Sequence, residues 1–255
     1  MSGNSDFFGP IRDFILEVQK GNVPLHSIVT MTGHNNAVGA TIEDVRAAGG
    51  IYAFLDAAIP MTVSSDNAND AALGTGARTV TVYGLNNSYD LISETVSLSG
   101  TTPVALVNSY LRVHELRVRT AGTNNQVYNL GNLYVGSGTV TAGVPAVIHQ
   151  SADVGENLGR AARYTIPRGY TGYMLEHDFS VVGNNVAAEC FIYSCVFGEA
   201  FIVRRRFMVV TNNYDFRGYA VLPEKTDIVA RAYVSQGSTD MASSFTLLLV
   251  KNTPA

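Results

Sequence analysis

The sequence predicts an all-β chain, a jelly-roll-like antiparallel β-sandwich preceded by a short arm of helical and extended segments. Three observations carry this. Between Met61 and Lys251, stretches such as Arg78-Thr79-Val80-Thr81-Val82-Tyr83 and Glu94-Thr95-Val96-Ser97-Leu98 place apolar residues at every second position. That is the period of a strand with one face in a core and one in solvent. The stretches are rich in Val, Thr and Tyr, and Gly/Asn/Ser turns separate them at the intervals of sandwiches and jelly rolls. Only 15% of residues are charged while 46% are hydrophobic, against about a quarter charged in an ordinary soluble domain. A charge deficit in a well-patterned chain points to surface covered by partner chains.

The first 58 residues are expected to form the arm. Pro10 suits a first helical turn, and Ile11, Phe14, Ile15 and Val18 make one apolar stripe at i, i+3, i+4 and i+7. Asp13 and Lys20 match the helix dipole, and Gly21 supplies a stop. A free helix of about ten residues is marginal in water. Phe7, Phe8, Ile11, Phe14 and Ile15 are therefore expected to dock on the sandwich or on a neighbouring protein. An extended, irregular link over 21–40 leads to a second short helix that starts at Thr41, with Asp44 reaching back, and stops at Gly49-Gly50.

From residue 59 to 255 the sandwich takes over, with strands expected near 61–65, 78–85, 92–98, 104–119, 127–135, 162–166, 171–182, 188–197, 201–210, 216–222, 227–235 and 244–251. Leu111 and Val113 lie on one parity, Leu116 and Val118 on the other, so one extra residue is expected near His114-Glu115 as a β-bulge. The stretch 136–159 is the loosest and is the expected boundary if the domain divides into two sub-sandwiches.

Chemistry is sparse. The five histidines, at 26, 34, 114, 149 and 177, show no metal-ligand spacing, and His177 shares the parity of Leu175 and Phe179, as a core or interface histidine would. Gly136-Ser137-Gly138 lacks the nucleophile-elbow spacing, and Gly74-Thr75-Gly76 lacks the length and the Lys of a phosphate loop. No catalytic residue, cofactor or metal is expected, and the chain reads as a non-enzyme. Asp66-Asn67-Ala68-Asn69-Asp70 offers oxygens to Ca²⁺, but Ala68 and Ala71 break the EF-hand pattern, which favours Asx-turns. Cys190 and Cys195 sit five apart in one apparent strand, on opposite faces and roughly 17 Å apart. A disulfide needs Cα atoms within about 7 Å, so both are expected as free thiols.

Arg204-Arg205-Arg206 interrupts an apolar strand. Two readings stand. Either the cluster is a charged edge that resists edge-to-edge pairing, or at least one Arg is buried against an acid such as Glu199, Glu224 or Asp227, within the chain or across subunits. A net charge of −4 argues against nucleic acid as the main ligand. No apolar run approaches the roughly 20 residues of a membrane helix. Met1–Asp6 has no signal-peptide character, so synthesis in a cytoplasm is expected. Aromatic surface leaves carbohydrate as an alternative ligand.

The block Ser65-Asp66-Asn67-Ala68-Asn69-Asp70-Ala71-Ala72-Leu73-Gly74-Thr75-Gly76-Ala77-Arg78-Thr79-Val80 resembles a segment of virion structural proteins of aquatic tailed bacteriophages. So do Asn108-Ser109-Tyr110-Leu111-Arg112-Val113, Tyr164–Tyr173 and Leu222-Pro223-Glu224-Lys225-Thr226-Asp227-Ile228. The resemblance implies a virion component assembled in the host cytoplasm, without enzymatic activity. By analogy with phage head decorations it implies a homo-oligomer, a trimer above all, on the major capsid protein. A tail or fibre-attachment part touching host glycan is the alternative. No site residue carries over.

Overall fold

In the computed structural model the described residues are 13–123, 127–182, 187–209 and 214–253, with the backbone alone described for 209 and 214–219. One short helix, α1 (Phe14–Gln19), precedes β1 (His26–Val38) and the two-residue β2 (Glu43–Asp44). Eight strands follow in one run: β3 (Ile59–Ser65), β4 (Ala77–Leu85), β5 (Leu91–Ser97), β6 (Val104–Tyr110), β7 (Arg112–Ala121), β8 (Leu133–Thr141), β9 (Val144–Ala152) and β10 (Leu158–Arg160). The chain then continues through β11 (Arg163–Thr165), β12 (Tyr170–Val182), β13 (Ala188–Cys195), β14 (Ile202–Val209), β15 (Tyr214–Leu222), β16 (Asp227–Val234) and β17 (Thr239–Lys251). The all-β expectation holds, and among the described residues every strand pairing is antiparallel.

Four sheets form, in the orders β1-β17-β12-β15, β11-β16-β13-β14 with β2 also on β16, β6-β3-β8-β9, and β10-β7-β4-β5. The first two share one core, in which Met31, Phe179, Phe245 and Leu247 meet Tyr164, Ile192, Ile228 and Ala230. The other two share a second, built on Met61, Val63, Tyr110 and Leu133 against Val80, Val82, Val113 and Leu116. The chain therefore holds two layered units. One is inserted, spanning β3–β10; the other encloses it, using β1, β2 and β11–β17.

The two units share a pairing scheme. In the enclosing unit, taken in chain order without β2, the first strand pairs with the eighth, the second with the seventh, the third with the sixth and the fourth with the fifth. Third–eighth and fourth–seventh pairings complete its sheets. The inserted unit makes the same pairings when β9 and β10 are counted as its first and second strands, ahead of β3. It is a circular permutation of its host. Its eighth and first strands, β8 and β9, are joined by Ala142 and Gly143 at φ 49° and 85°, the backbone that a two-residue hairpin turn favours. At the equivalent place the enclosing unit has its two ends, where His26 pairs with Val250.

Several expectations change. The second helix is absent: Asp44 accepts from the Tyr52 amide and Arg231, while Glu43 binds Asn35, Gly39 and Gly50. Tertiary partners hold these acids in the short strand β2 beside β16, which a marginal one-turn helix cannot match. Nor is the segment 26–38 an arm. It pairs along β17, and its inward positions Met31, Gly33 and Asn35 carry too few apolar residues to show a period in sequence. The stretch 136–159 is no boundary, since it contains most of the β8–β9 hairpin and β10; the units join instead at 45–58 and 161–162. The predicted bulge is present: Tyr83 faces Glu115 and the next residue, Gly84, faces Val113, leaving His114 extra. A second bulge at Leu175 puts Met174 rather than Leu175 in the core, with His177 and Phe179 beside it.

Candidate interaction surface and the seam between the units

Of the arm residues proposed for docking, Phe7, Phe8 and Ile11 lie outside the described residues. Phe14 and Ile15 fall in α1, where Asp13 caps the helix by accepting from the Leu16 amide. Val18 is buried on the chain's own body, and the Phe14 ring meets His26 edge-on at 5.9 Å. Phe14 and Leu16 remain about half exposed.

The Arg cluster lies on β14, the last strand of its sheet. Ile202, Val203, Arg204, Arg205, Arg206 and Met208 are all exposed, so both faces of this edge are open. Burial of one Arg against an acid within the chain is thus not found. Arg206 forms an exposed ion pair with Glu189 of β13, whose carboxyl is held low by the Tyr233 hydroxyl and by Arg206. Arg204 donates to Ser194 Oγ at 2.7 Å. Two of the named acids are engaged elsewhere, Glu224 accepting the Gly169 amide and Asp227 binding Arg112, and Glu199 forms no ion pair with the cluster among the described residues. Beside β14 opens a cavity of about 300 Å³ with Met174, His177, Ile192 and Leu222 inside and Arg204 and Arg205 at its border. His177 is a core histidine as expected, against Phe207 at 5.1 Å. α1 lies on β1, at the other edge of the enclosing unit, so the structure does not bring the two interface candidates together.

Among the described residues a buried ion pair, with buried Arg163 and two buried histidines near it, lies at the seam between the units, where sequence reasoning did not place it. Arg112 of β7 grips Asp227 of β16 through Nε and Nη2 at 2.9 and 2.8 Å, and both residues are under 10% exposed. Nη1 donates to the carbonyls of Leu55 and Leu111, and Thr165 donates to the same carboxylate. The bulge aims these groups. It leaves Val113 and Leu116 in the inserted core while Arg112 and His114 face the enclosing unit. His114 Nε2 accepts the Thr165 amide at 3.3 Å, which requires a neutral ring protonated at Nδ1. Burial, with Arg163 and Arg112 nearby, pushes its pKa down to about 3. Arg163 lies over the Tyr52 ring, 3.5 Å from its centroid, and donates to the His149 carbonyl. Burial, Arg163 and Arg46 lower His149 to about 4. The scarce sequence signal was the odd-parity His114; nothing in the local pattern marked Arg112 or Asp227 as partners.

The acidic run folds as a loop. Asn67 Oδ1 accepts the Asn69 amide as an Asx-turn. Asp70, fully buried, accepts from Ser65 Oγ and from the amides of Ala77, Leu130 and Gly131 at 2.7–2.9 Å. Asp66 accepts from Asn132 and Tyr134. The oxygens a Ca²⁺ would require are held by protein donors, and among the described residues no cluster of His, Cys, Asp or Glu suits a metal ion. Cys190 is buried and Cys195 half-buried, both as free thiols. No helix among the described residues is long and apolar enough to cross a membrane.

These features define an all-β protein of two stacked antiparallel units whose most polar interior is a structural seam. No family model matches the chain. No curated protein matches it either. Among solved structures it is similar to that of the infectious bursal disease virus Gx strain, at 11% identity and a TM-score of 0.26, covering 90% of this chain and 73% of that one. It is also similar to the VP2 subviral particle of the same virus, at 13% identity and a TM-score of 0.21, covering 90% and 77%. Likenesses this slight carry no argument about what the chain does.

Proposed function

We propose that this chain is a non-enzymatic structural protein of a virus particle, a decoration or cement protein that self-associates on a tailed-phage head, as a trimer, against the major capsid protein. In both units the pairing of first with eighth, second with seventh, third with sixth and fourth with fifth strand is a long hairpin wound on itself. This pairing supports reading each unit as a jelly roll, an architecture of viral capsid and lectin domains. Fold alone does not assign function.

The observation that carries the reading is β14. Its Val203 is 48% and Met208 73% exposed, in a chain with few charges, on an edge whose unpaired backbone invites another strand or surface. Soluble monomers keep such edges short or covered; a component of an assembly leaves them for its neighbours. Light scattering on purified protein should give a mass of several subunits. The double change Val203→Lys and Met208→Lys should reduce it to one without loss of β structure. A monomeric wild type, or a mass indifferent to both changes, would remove β14 as the interface. A reconstruction of the particle, with the density sought on the head surface, tests the location.

A further inference from the structure

A cavity of about 420 Å³ opens on the seam where four connecting segments converge. The segment before β3 brings Phe54 and Asp56, the β4–β5 turn Tyr89, the β13–β14 connection Phe197, Glu199 and Phe201, and the β15–β16 turn Lys225. The Arg112–Asp227 pair also lines it. Its volume is within the range of small-ligand sites, which favour junctions between folded units. Most of its lining comes from loops between strands of the two cores, the usual placement of binding residues.

The lining is aromatic in two pairs. Phe54 and Phe201 lie 5.0 Å apart, tilted by 47°, and Tyr89 meets Phe197 edge-on at 5.7 Å. Arg112 stacks on Phe54 at 5.0 Å and Arg231 on Phe201 at 5.3 Å, which fixes that pair from the protein side. Phe197, by contrast, is 60% exposed, a large apolar face turned to solvent. The Lys225 ammonium stands 4.9 Å from the Phe197 centroid and 5.6 Å from that of Tyr89. Asp56 and Glu199 are exposed on the same cavity, and neither has a salt-bridge partner among the described residues.

Charge narrows the ligand. Aromatic walls with two carboxylates suit a cation, but Lys225 already holds that place and would repel a second one. An anion would meet Asp56 and Glu199, while Arg112 already gives four of its five N–H groups to Asp227 and two carbonyls. A wholly apolar ligand would strip water from three charged groups without replacing their hydrogen bonds. A neutral polyol with one apolar face suits them: its C–H face covers the exposed Phe197 ring, while its hydroxyls donate to Asp56 and Glu199 and accept from Lys225.

We propose that this cavity binds a neutral saccharide unit. The inference goes beyond the particle reading and stands or falls separately from it. The test is saturation-transfer NMR on the full chain with methyl glucoside, methyl galactoside, methyl mannoside and N-acetylglucosamine at millimolar concentration. At least one sugar should receive saturation at its ring protons, with binding weakened about tenfold by Phe197→Ala through loss of one aromatic contact. Glu199→Gln should weaken it too, and Val107→Ser, exposed and outside the cavity, should not. Methyl-proton dispersion confirms that each variant is folded. The proposal is overturned if no sugar receives saturation, or if transfer survives both cavity changes. A Phe197→Ala variant that lowers the light-scattering mass while no sugar binds would overturn it in favour of a protein contact.

Discussion

Arg112 and Asp227, 115 positions apart in the chain, form a two-pronged ion pair at the seam between the inserted unit and its host. Each side chain is buried, each is hydrogen-bonded, and each belongs to a different hydrophobic core's scaffold. The pair fixes the orientation of one unit on the other more than it adds stability. Desolvating two charges offsets most of their attraction, whereas stranding one is costly.

Removing either partner should therefore be severe. Arg112→Ala or Asp227→Ala is expected to lower stability by about 3–5 kcal/mol, and the double change Arg112→Met with Asp227→Leu to recover most of it. Urea unfolding of the three variants checks this. Equal losses for single and double changes would show that the pair itself is strongly stabilising.

The seam histidines predict a pH dependence. Folded pKa values near 3 for His114 and 4 for His149 lie below the unfolded value of about 6.5. The unfolded chain thus takes up protons that the folded chain refuses, so stability falls as pH drops. The contribution is whole above about pH 6.5 and is lost between there and the folded values. Melting temperatures from pH 7 to pH 4 should fall more steeply for the wild type than for His114→Gln, whose amide oxygen can still accept the Thr165 amide. Parallel curves would count against the assignment.

Asp70 is expected to behave as a structural anchor. Asp70→Ala leaves two buried amides and a half-buried one without their acceptor, each buried one worth about 1–3 kcal/mol. The inserted unit should then unfold first, visible as a separate early transition in hydrogen exchange over β3, β4 and β8. Added Ca²⁺ should leave the wild-type melting temperature unchanged; an increase would return the Asp66–Asp70 loop to the metal candidates.

The Arg cluster should be nearly neutral in the isolated chain. Arg205→Ala and Arg206→Ala are each expected within about 0.5 kcal/mol, as for exposed positions, and Arg204→Ala to cost about 1 kcal/mol through its bond to Ser194 Oγ. A large loss that appears only in the assembled state, read as reduced light-scattering mass, would place the residue at a subunit contact.

By itself the sequence determined the strand content, most strand positions after residue 59, the bulge at His114, the free thiols and the Asx-turn at Asn67. All of these follow from neighbours within a few positions, where alternation, turn chemistry and spacing act directly. Only the tertiary structure decided the rest. β1 is invisible locally because its inward side chains include Gly33 and Asn35, and it is a strand because β17 supplies its hydrogen bonds. The segment 41–50 resembles a capped helix in sequence until Arg231 and Tyr52 claim Asp44 and β16 pairs with it. That one unit is inserted in the other, and permuted relative to it, is a property of pairings between strands far apart in the chain. The partnership of Arg112 with Asp227 has the same origin: two charges in separate strands meet only once both cores have closed, and no local pattern encodes the meeting.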